Sequence, residues 1–232
     1  MRAGQGEVLH TRWVRKTQPL HTLHPLSTLP GARYANAMTD RIKIIATDLL
    51  TKNWGSLTNV TLDYRRRDGM VQRLQREVYD HGSAAAVLLH DPLRDTVLLV
   101  RQFRLPPHLN GDAPDLLEAC AGLLDGEAPE IAAAREALEE TGHAPTHLTH
   151  VCDAYASPGS LTEKIALYVG RYGAETLRHS GGGLVEEGEE IEVVELPFPQ
   201  AFALIASGGI IDAKTIILLQ HLALSRALIH PA

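Results

Sequence analysis

Arg135, Glu136, Glu139 and Glu140 fall within six residues and carry the side-chain types that divalent-cation chemistry uses. On a helix, Glu136 and Glu140 are neighbours one turn apart, with Glu139 beside them. Three like charges at the C-terminal end of a helix repel one another and also meet the negative end of the helix dipole, each effect being worth some tenths of a kcal/mol. A divalent cation relieves both, because magnesium and manganese take oxygen ligands and keep coordinated waters. Taken alone, such a segment is more often a solvated acidic face neutralised by Arg135 and counterions, so the sequence around it has to decide.

The positioning elements are legible around this run. Pro129, a series of good helix formers and Gly142 predict a helix over 129–141, with proline in its first turn and glycine just past its end. At 100° per residue Ile131, Ala134 and Leu138 form an apolar stripe expected to face the core, with Glu136 and Glu140 on the other side. Upstream, RIKIIATDLL, NVTLDYRRR and MVQRLQREVYD read as strands, and Asp68-Gly69 between the last two is a hairpin signal. SAAAVLLH and DTVLLVRQF are apolar enough to be paired strands of a buried sheet. The segment PPHLNGDAP reads as an irregular loop, and DLLEACAGLL as a short strand running into a loop. HLTHVCDAYA, EKIALYVGRY and EIEVVEL have strand character, and helices are expected at about 198–207 and 213–228, the second capped by Asp212. The order predicts an α/β fold, a mixed sheet between helical layers.

Composition narrows the class. The 232 residues are 44% apolar and 22% charged, average for a folded soluble protein. The net charge of −6 disfavours nucleic-acid binding, which needs clustered Lys and Arg. No run is long and apolar enough to span a membrane, so no membrane partner and a cytoplasmic location are expected. Cys120 and Cys152 lack a CxxC partner and read as buried thiols. Residues 1–37 hold Arg2, Arg12, Arg15, Lys16 and Arg33 against Glu7 alone, and removing that +4 from −6 leaves −10 for the rest. The stretch 1–40 reads as a disordered leader or an early start ahead of Met38, with an organelle transit peptide as the alternative.

Read outward, AGLLDGEAPEIAAAREALEETGH, residues 121–143, resembles the Nudix box, G-x5-E-x7-R-E-U-x-E-E-x-G-U with U apolar. Glu127, Arg135-Glu136, Glu139-Glu140 and Gly142 fall in register. Four residues rather than five separate Gly122 from Glu127, and His143 holds the last apolar position. The resemblance implies a Nudix fold and a site for Mg²⁺, or Mn²⁺, built from Glu136, Glu140 and the carbonyl of Ala121. It further implies Arg135 orienting the carboxylates, Glu139 holding or positioning a further ion, and in-line attack of water on a phosphorus of a nucleoside diphosphate.

From about residue 41 to 226 the chain is also similar to the GDP-mannose pyrophosphatase branch, whose pattern includes the shortened box loop. RRRDG, QREVYDHG, VRQFR, LLEACAGLLD, SPGSLTEKI, GGGLVEEGEEIEVVELPF and DAKTIILL carry that similarity. It implies Glu189 as a metal-approaching group that positions water or acts as general base, with Glu187 and Glu190 as alternatives because the loop is one residue longer than usual. Gly181, Gly182 and Gly183 before it are expected to let the loop close over substrate. Substrate contacts are implied at Arg76, Glu77, Arg104, Ala121, Glu163 and Lys214, with Trp54 stacking on the base. Gln75 stands where a lysine is common in the branch. Members are homodimers that exchange their amino-terminal strands, so the expected organisation is a β dimerisation region over 41–80 and a Nudix domain over 81–228. The expected activity is Mg²⁺-dependent hydrolysis of GDP-mannose to GMP and mannose 1-phosphate. Another nucleoside diphosphate sugar or ADP-ribose is the nearest alternative, and a non-catalytic nucleotide sensor is the alternative of another class.

Overall fold

The computed structural model describes residues 41–184 and 188–229. The expected leader over 1–40 and the alternative base Glu187 lie outside the described residues. The chain divides into two units, 1–42 and 43–232, and the second holds every described strand and helix except the first residue of the first strand.

β1 (Ile42–Lys52), β2 (Ser56–Arg65) and β3 (Val71–Asp80) form a three-stranded sheet in that order, β2 and β3 being antiparallel from Ser56↔Asp80 to Arg65↔Val71. The expected turn closes this hairpin. Gly69 takes a left-handed φ of 87°, and the Asp68 carboxylate accepts the Met70 N–H at 3.0 Å. Ile44, Ile45, Leu49, Leu50 and Val71 of this sheet are exposed.

The second sheet is mixed. Its path runs β10 (Glu192–Pro197), β5 (Thr96–Phe103), β4 (Ala84–Asp91), β9 (Lys164–Arg171) and β8 (Thr146–Tyr155), with β4 and β9 parallel. β4 is an unbroken apolar run because both its faces are covered. Ala85, Val87 and Leu89 pack under α2 (Pro129–Thr141), and Ala86 and Leu88 pack toward α3 (Phe198–Ser207) and α4 (Ala213–Ile229). The three longer helices fall where expected. No helix among the described residues is long and apolar enough to cross a membrane.

β4 and β5 pair only from Leu89↔Leu98 to Asp91↔Thr96 and then diverge. Into the gap come β6 (Asp115–Glu118), paired with β5, and β7 (Cys120–Leu123), paired with β4. DLLEACAGLL is therefore two strands, where one strand and a loop were expected. The ladder breaks at Ala119, whose N–H is donated instead to Thr215 Oγ1 at 2.7 Å. PPHLNGDAP also differs from expectation, since α1 (Leu105–Leu109) occupies its start. Prolines in a first helical turn forfeit no intrahelical hydrogen bond, so they did not preclude this short helix.

The largest departure is the burial of α2. Ile131 is 58% exposed and Ala134 and Leu138 are only partly covered, whereas Ala132, Ala133, Glu136, Ala137, Glu140 and Thr141 are buried. The helix turns its alanines, not its large apolar stripe, to the sheet. Small side chains let the helix lie close on β4 and β7, and this closeness carries the two glutamates into the interior.

Candidate active site

Helix α2 ends on Gly142, left-handed at φ 77°, whose N–H is donated to the Leu138 carbonyl at 2.8 Å. Two more of its last carbonyls are met by the glycine segment: Gly182 N–H reaches the Glu140 carbonyl at 2.9 Å and Gly183 N–H the Glu139 carbonyl at 3.2 Å. A β-carbon on Gly181 would stand 2.5 Å from the Glu140 carbonyl oxygen. These glycines were expected to serve loop movement, and in the structure they dock the loop on the helix end. His143, in the apolar box position, is accommodated by a 2.8 Å contact from Nδ1 to Thr176 Oγ1 and an edge-on contact with Tyr172.

Arg135 gathers the acidic cluster. Its guanidinium donates to Glu127 at 2.9 Å, Glu136 at 2.8 Å, Glu139 at 2.9 Å and the Leu123 carbonyl at 3.1 Å. The Glu136 carboxylate lies across Gly122 so closely that a side chain there would displace it. Glu140 is 1% exposed, and its oxygens accept from the Gln102 side-chain amide at 3.3 Å and the Ala121 N–H at 3.2 Å, both neutral donors. Burial, followed by the charges of Glu136 and Glu189, pushes the Glu140 carboxyl up to about 8. Burial raises Glu136 as well, against the pull of Arg135. Glu189 accepts the Leu184 N–H at 2.8 Å, which holds its carboxylate near the other two. Among the described residues no three His, Cys, Asp or Glu side chains are grouped as a complete cation site.

Two cations line the same cleft as Glu136 and Glu189, each paired with a carboxylate. Arg104, just after β5, donates to Glu118 through Nε at 2.8 Å and Nη2 at 3.3 Å. Lys214, in the first turn of α4, bonds the same carboxylate and lies 3.0 Å from Asp212. Asp212 caps that helix by accepting the Thr215 N–H at 3.0 Å, as expected. Burial opposes the Glu118 charge, but Lys214 and Arg104 outweigh it and hold the carboxyl below the usual range.

Acids and bases border one open cleft of about 860 Å³. Of the residues singled out from sequence, Trp54, Arg104, Ala121, Arg135, Glu136, Glu163, Glu189 and Lys214 line it. Glu139 and Glu140 are held beside and beneath that lining by the contacts above. Arg76 and Glu77 are not in it; they lie on β3, exposed, opposite Val60 and Asn59. Trp54 sits in the β1–β2 turn, 72% exposed, and stacks on His81 with centroids 4.9 Å apart. Glu190 is exposed. Sequence reasoning missed Glu118, Gln102 and His81. Glu118 had a readable signal, a lone carboxylate inside the apolar run LLEACAGLL.

The NUDIX domain model matches residues 80–203, and the model described as the GDP-mannose pyrophosphatase NudK N-terminal domain matches residues 41–79. The chain belongs to the Nudix hydrolase family. It is a pyrophosphohydrolase of that family. GDP-mannose pyrophosphatase of Cronobacter sakazakii is 46% identical over 189 residues, 81% of this chain and 97% of that protein. The protein of the same name from Pectobacterium atrosepticum is 46% identical over 79% of this chain and 95% of its own length. That of Escherichia coli O157:H7 is 43% identical over 81% and 98%. The fold is also that of a crystal structure of an ADP compounds hydrolase, with a TM-score of 0.60 at 20% identity, covering 81% of this chain and 95% of the other.

Proposed function

We propose that the protein hydrolyses GDP-mannose to GMP and mannose 1-phosphate, using Mg²⁺ or Mn²⁺. The observation that carries this reading is the match of both segments, the amino-terminal strands and the Nudix domain, to GDP-mannose pyrophosphatases at up to 46% identity. The buried acids fit a divalent cation. Glu140 is deeply buried with only neutral donors on its oxygens, whereas Glu118, equally buried, has two cations of its own. Glu136, Glu140 and the Ala121 carbonyl would hold the ion, with Glu189 approaching from the loop. When bound, the cation supplies positive charge for the phosphoryl oxygens and acidifies the attacking water.

The chain's own side chains do the rest. Arg135 fixes the direction of Glu136 and Glu139, and the Leu184 N–H fixes Glu189, which positions water for in-line attack. Arg104 and Lys214 bind diphosphate oxygens, the guanidinium as a planar fork and the ammonium as a point charge. Glu163 binds from the β9 side, and Trp54 offers an exposed face to the base.

The organisation that suits this reading is a homodimer with residues 41–80 exchanged and 81–228 as the catalytic domain. Arg76 and Glu77 lie outside the cleft of their own chain, and the apolar side chains exposed on β1 and β3 need cover. Both cysteines are free, which suits a reducing cytoplasm.

Product analysis and kcat/KM on GDP-mannose, ADP-ribose and other nucleoside diphosphate sugars test the assignment. GDP-mannose is expected to be the best substrate, giving GMP and mannose 1-phosphate. Far faster turnover of ADP-ribose would refute it, and no turnover of any of them with Mg²⁺ or Mn²⁺ would point to a nucleotide-sensing module.

A further inference from the structure

Glu118 belongs neither to the Nudix box nor to the cluster gathered by Arg135, yet it is among the most buried carboxylates of the described residues, 2% exposed at the end of β6. It joins two cations that come from distant parts of the chain. Arg104 follows β5, and Lys214 lies 110 positions later in the sequence, at the start of α4. Both are bonded to the one carboxylate, and both face the cleft. The arrangement is braced from below. Asp212 holds Lys214 and caps α4, while Thr215 of the same turn accepts the Ala119 N–H, the main-chain group next to Glu118.

Without Glu118, a guanidinium and an ammonium brought this close would repel each other, and burial would favour a neutral Lys214. With it, two cations and the carboxylates of Glu118 and Asp212 balance to zero in the resting protein. The cluster gives up some raw attraction for an anion, and in return the two donors are ordered before the ligand arrives, which removes the entropy cost of ordering them on binding.

We propose that Glu118 is a positioning residue for substrate binding, a buried clamp that keeps Arg104 and Lys214 convergent and charged on the floor of the cleft. Its carboxylate bonds to Arg104 and Lys214 and not to the box carboxylates, and it acts through two side chains that grip non-bridging diphosphate oxygens, which are negative before the reaction as well as during it. Its loss therefore weakens ground state and transition state alike, which raises KM and leaves kcat nearly unchanged. The inference rests on the reading of the cleft as a site for a nucleoside diphosphate.

Steady-state kinetics on GDP-mannose with Mg²⁺, and calorimetric titration with GDP, test it on the full-length protein. Glu118→Gln keeps the shape but turns an amide toward one of the two cations. It is expected to raise KM and the Kd for GDP about tenfold or more, with kcat within about threefold. Glu118→Asp keeps the charge, is expected to recover part of the loss, and serves as the readout should the glutamine variant not fold. Glu195→Gln is the control, since it breaks the bonds to Arg94 and Tyr172 away from the cleft and is expected to lower Tm without moving KM. An unchanged KM and GDP affinity in the Glu118 variants, or an equal rise in KM in the Glu195 control, overturns the clamp. A wild-type protein that hydrolyses no nucleotide sugar sinks the substrate reading instead, and the GDP titrations still decide on Glu118.

Discussion

A β-carbon on Gly122 would stand 1.9 Å from Oε1 of Glu136. Strand β7 thus passes directly under the carboxylate that helix α2 buries, and the first glycine of the box is required by that approach rather than by its own backbone angles, which lie outside the left-handed region. Gly122→Ala must push Glu136 out of place. The expected result is a fall in kcat of about a hundredfold or more, of the size that an ångström of misplacement brings, with a stability loss of only about 1–3 kcal/mol. Turnover near the wild-type value in a folded variant would mean that Glu136 has no part in the chemistry.

Glu140 sets a pH dependence of stability whose sign can be worked out. Its carboxyl titrates at about 8 when folded and near the ordinary 4.5 when unfolded, so between these values the folded state binds more protons. Stability of the cation-free protein from this group is greatest below the lower value and declines as pH rises toward the upper one. At about 1.4 kcal/mol per pH unit the decline is on the order of a few kcal/mol, and the raised Glu136 adds to it in the same direction. Thermal melts in chelator from about pH 5 to 8 should show the slope in wild type, a much weaker one in Glu140→Gln, and a flattened one with saturating Mg²⁺. Identical slopes in wild type and variant would contradict the raised carboxyl of the buried Glu140. The same variant should lose turnover by at least about a hundredfold.

Trp54 contributes little to the fold, because it is 72% exposed and touches chiefly His81. Trp54→Ala is therefore expected to leave Tm within about 2 °C of wild type. It should raise KM roughly fivefold or more, in line with about 1–3 kcal/mol for one base stacked on one ring. A large drop in Tm with KM unmoved would assign Trp54 to packing instead.

The proposed exchange of residues 41–80 is open to a complementation test. Arg76→Ala and Glu140→Gln homodimers should each be nearly inactive, one through the strand and the other through the metal helix. If β3 serves the neighbouring subunit, coexpression gives mixed dimers with one intact site, and about a quarter of wild-type activity returns. No recovery would exclude the exchanged arrangement.

Gly181 adds a use that the sequence expectation did not include. Its neighbours bind the last carbonyls of α2, and a side chain at Gly181 would collide with the Glu140 carbonyl. The glycines are needed for close approach as well as for turning, and spacing alone does not distinguish these uses.

Local rules sufficed for what is local. Proline before and glycine after a run of helix formers defined 129–141, Asp68-Gly69 placed the hairpin, and the register of Glu127, Arg135, Glu136, Glu139 and Glu140 identified the acidic cluster before any fold was known. These depend on backbone geometry a few residues long. Which face of α2 is inward depended on how closely the helix could approach the sheet, and its alanines prevailed over Ile131 because close packing rewards fit more than size. The partnership of Glu118 with Arg104 and Lys214 was likewise decided only in three dimensions. Its members lie just after β5, on β6 and on α4, and nothing in their spacing along the chain shows that the divergence of β4 from β5 brings them together.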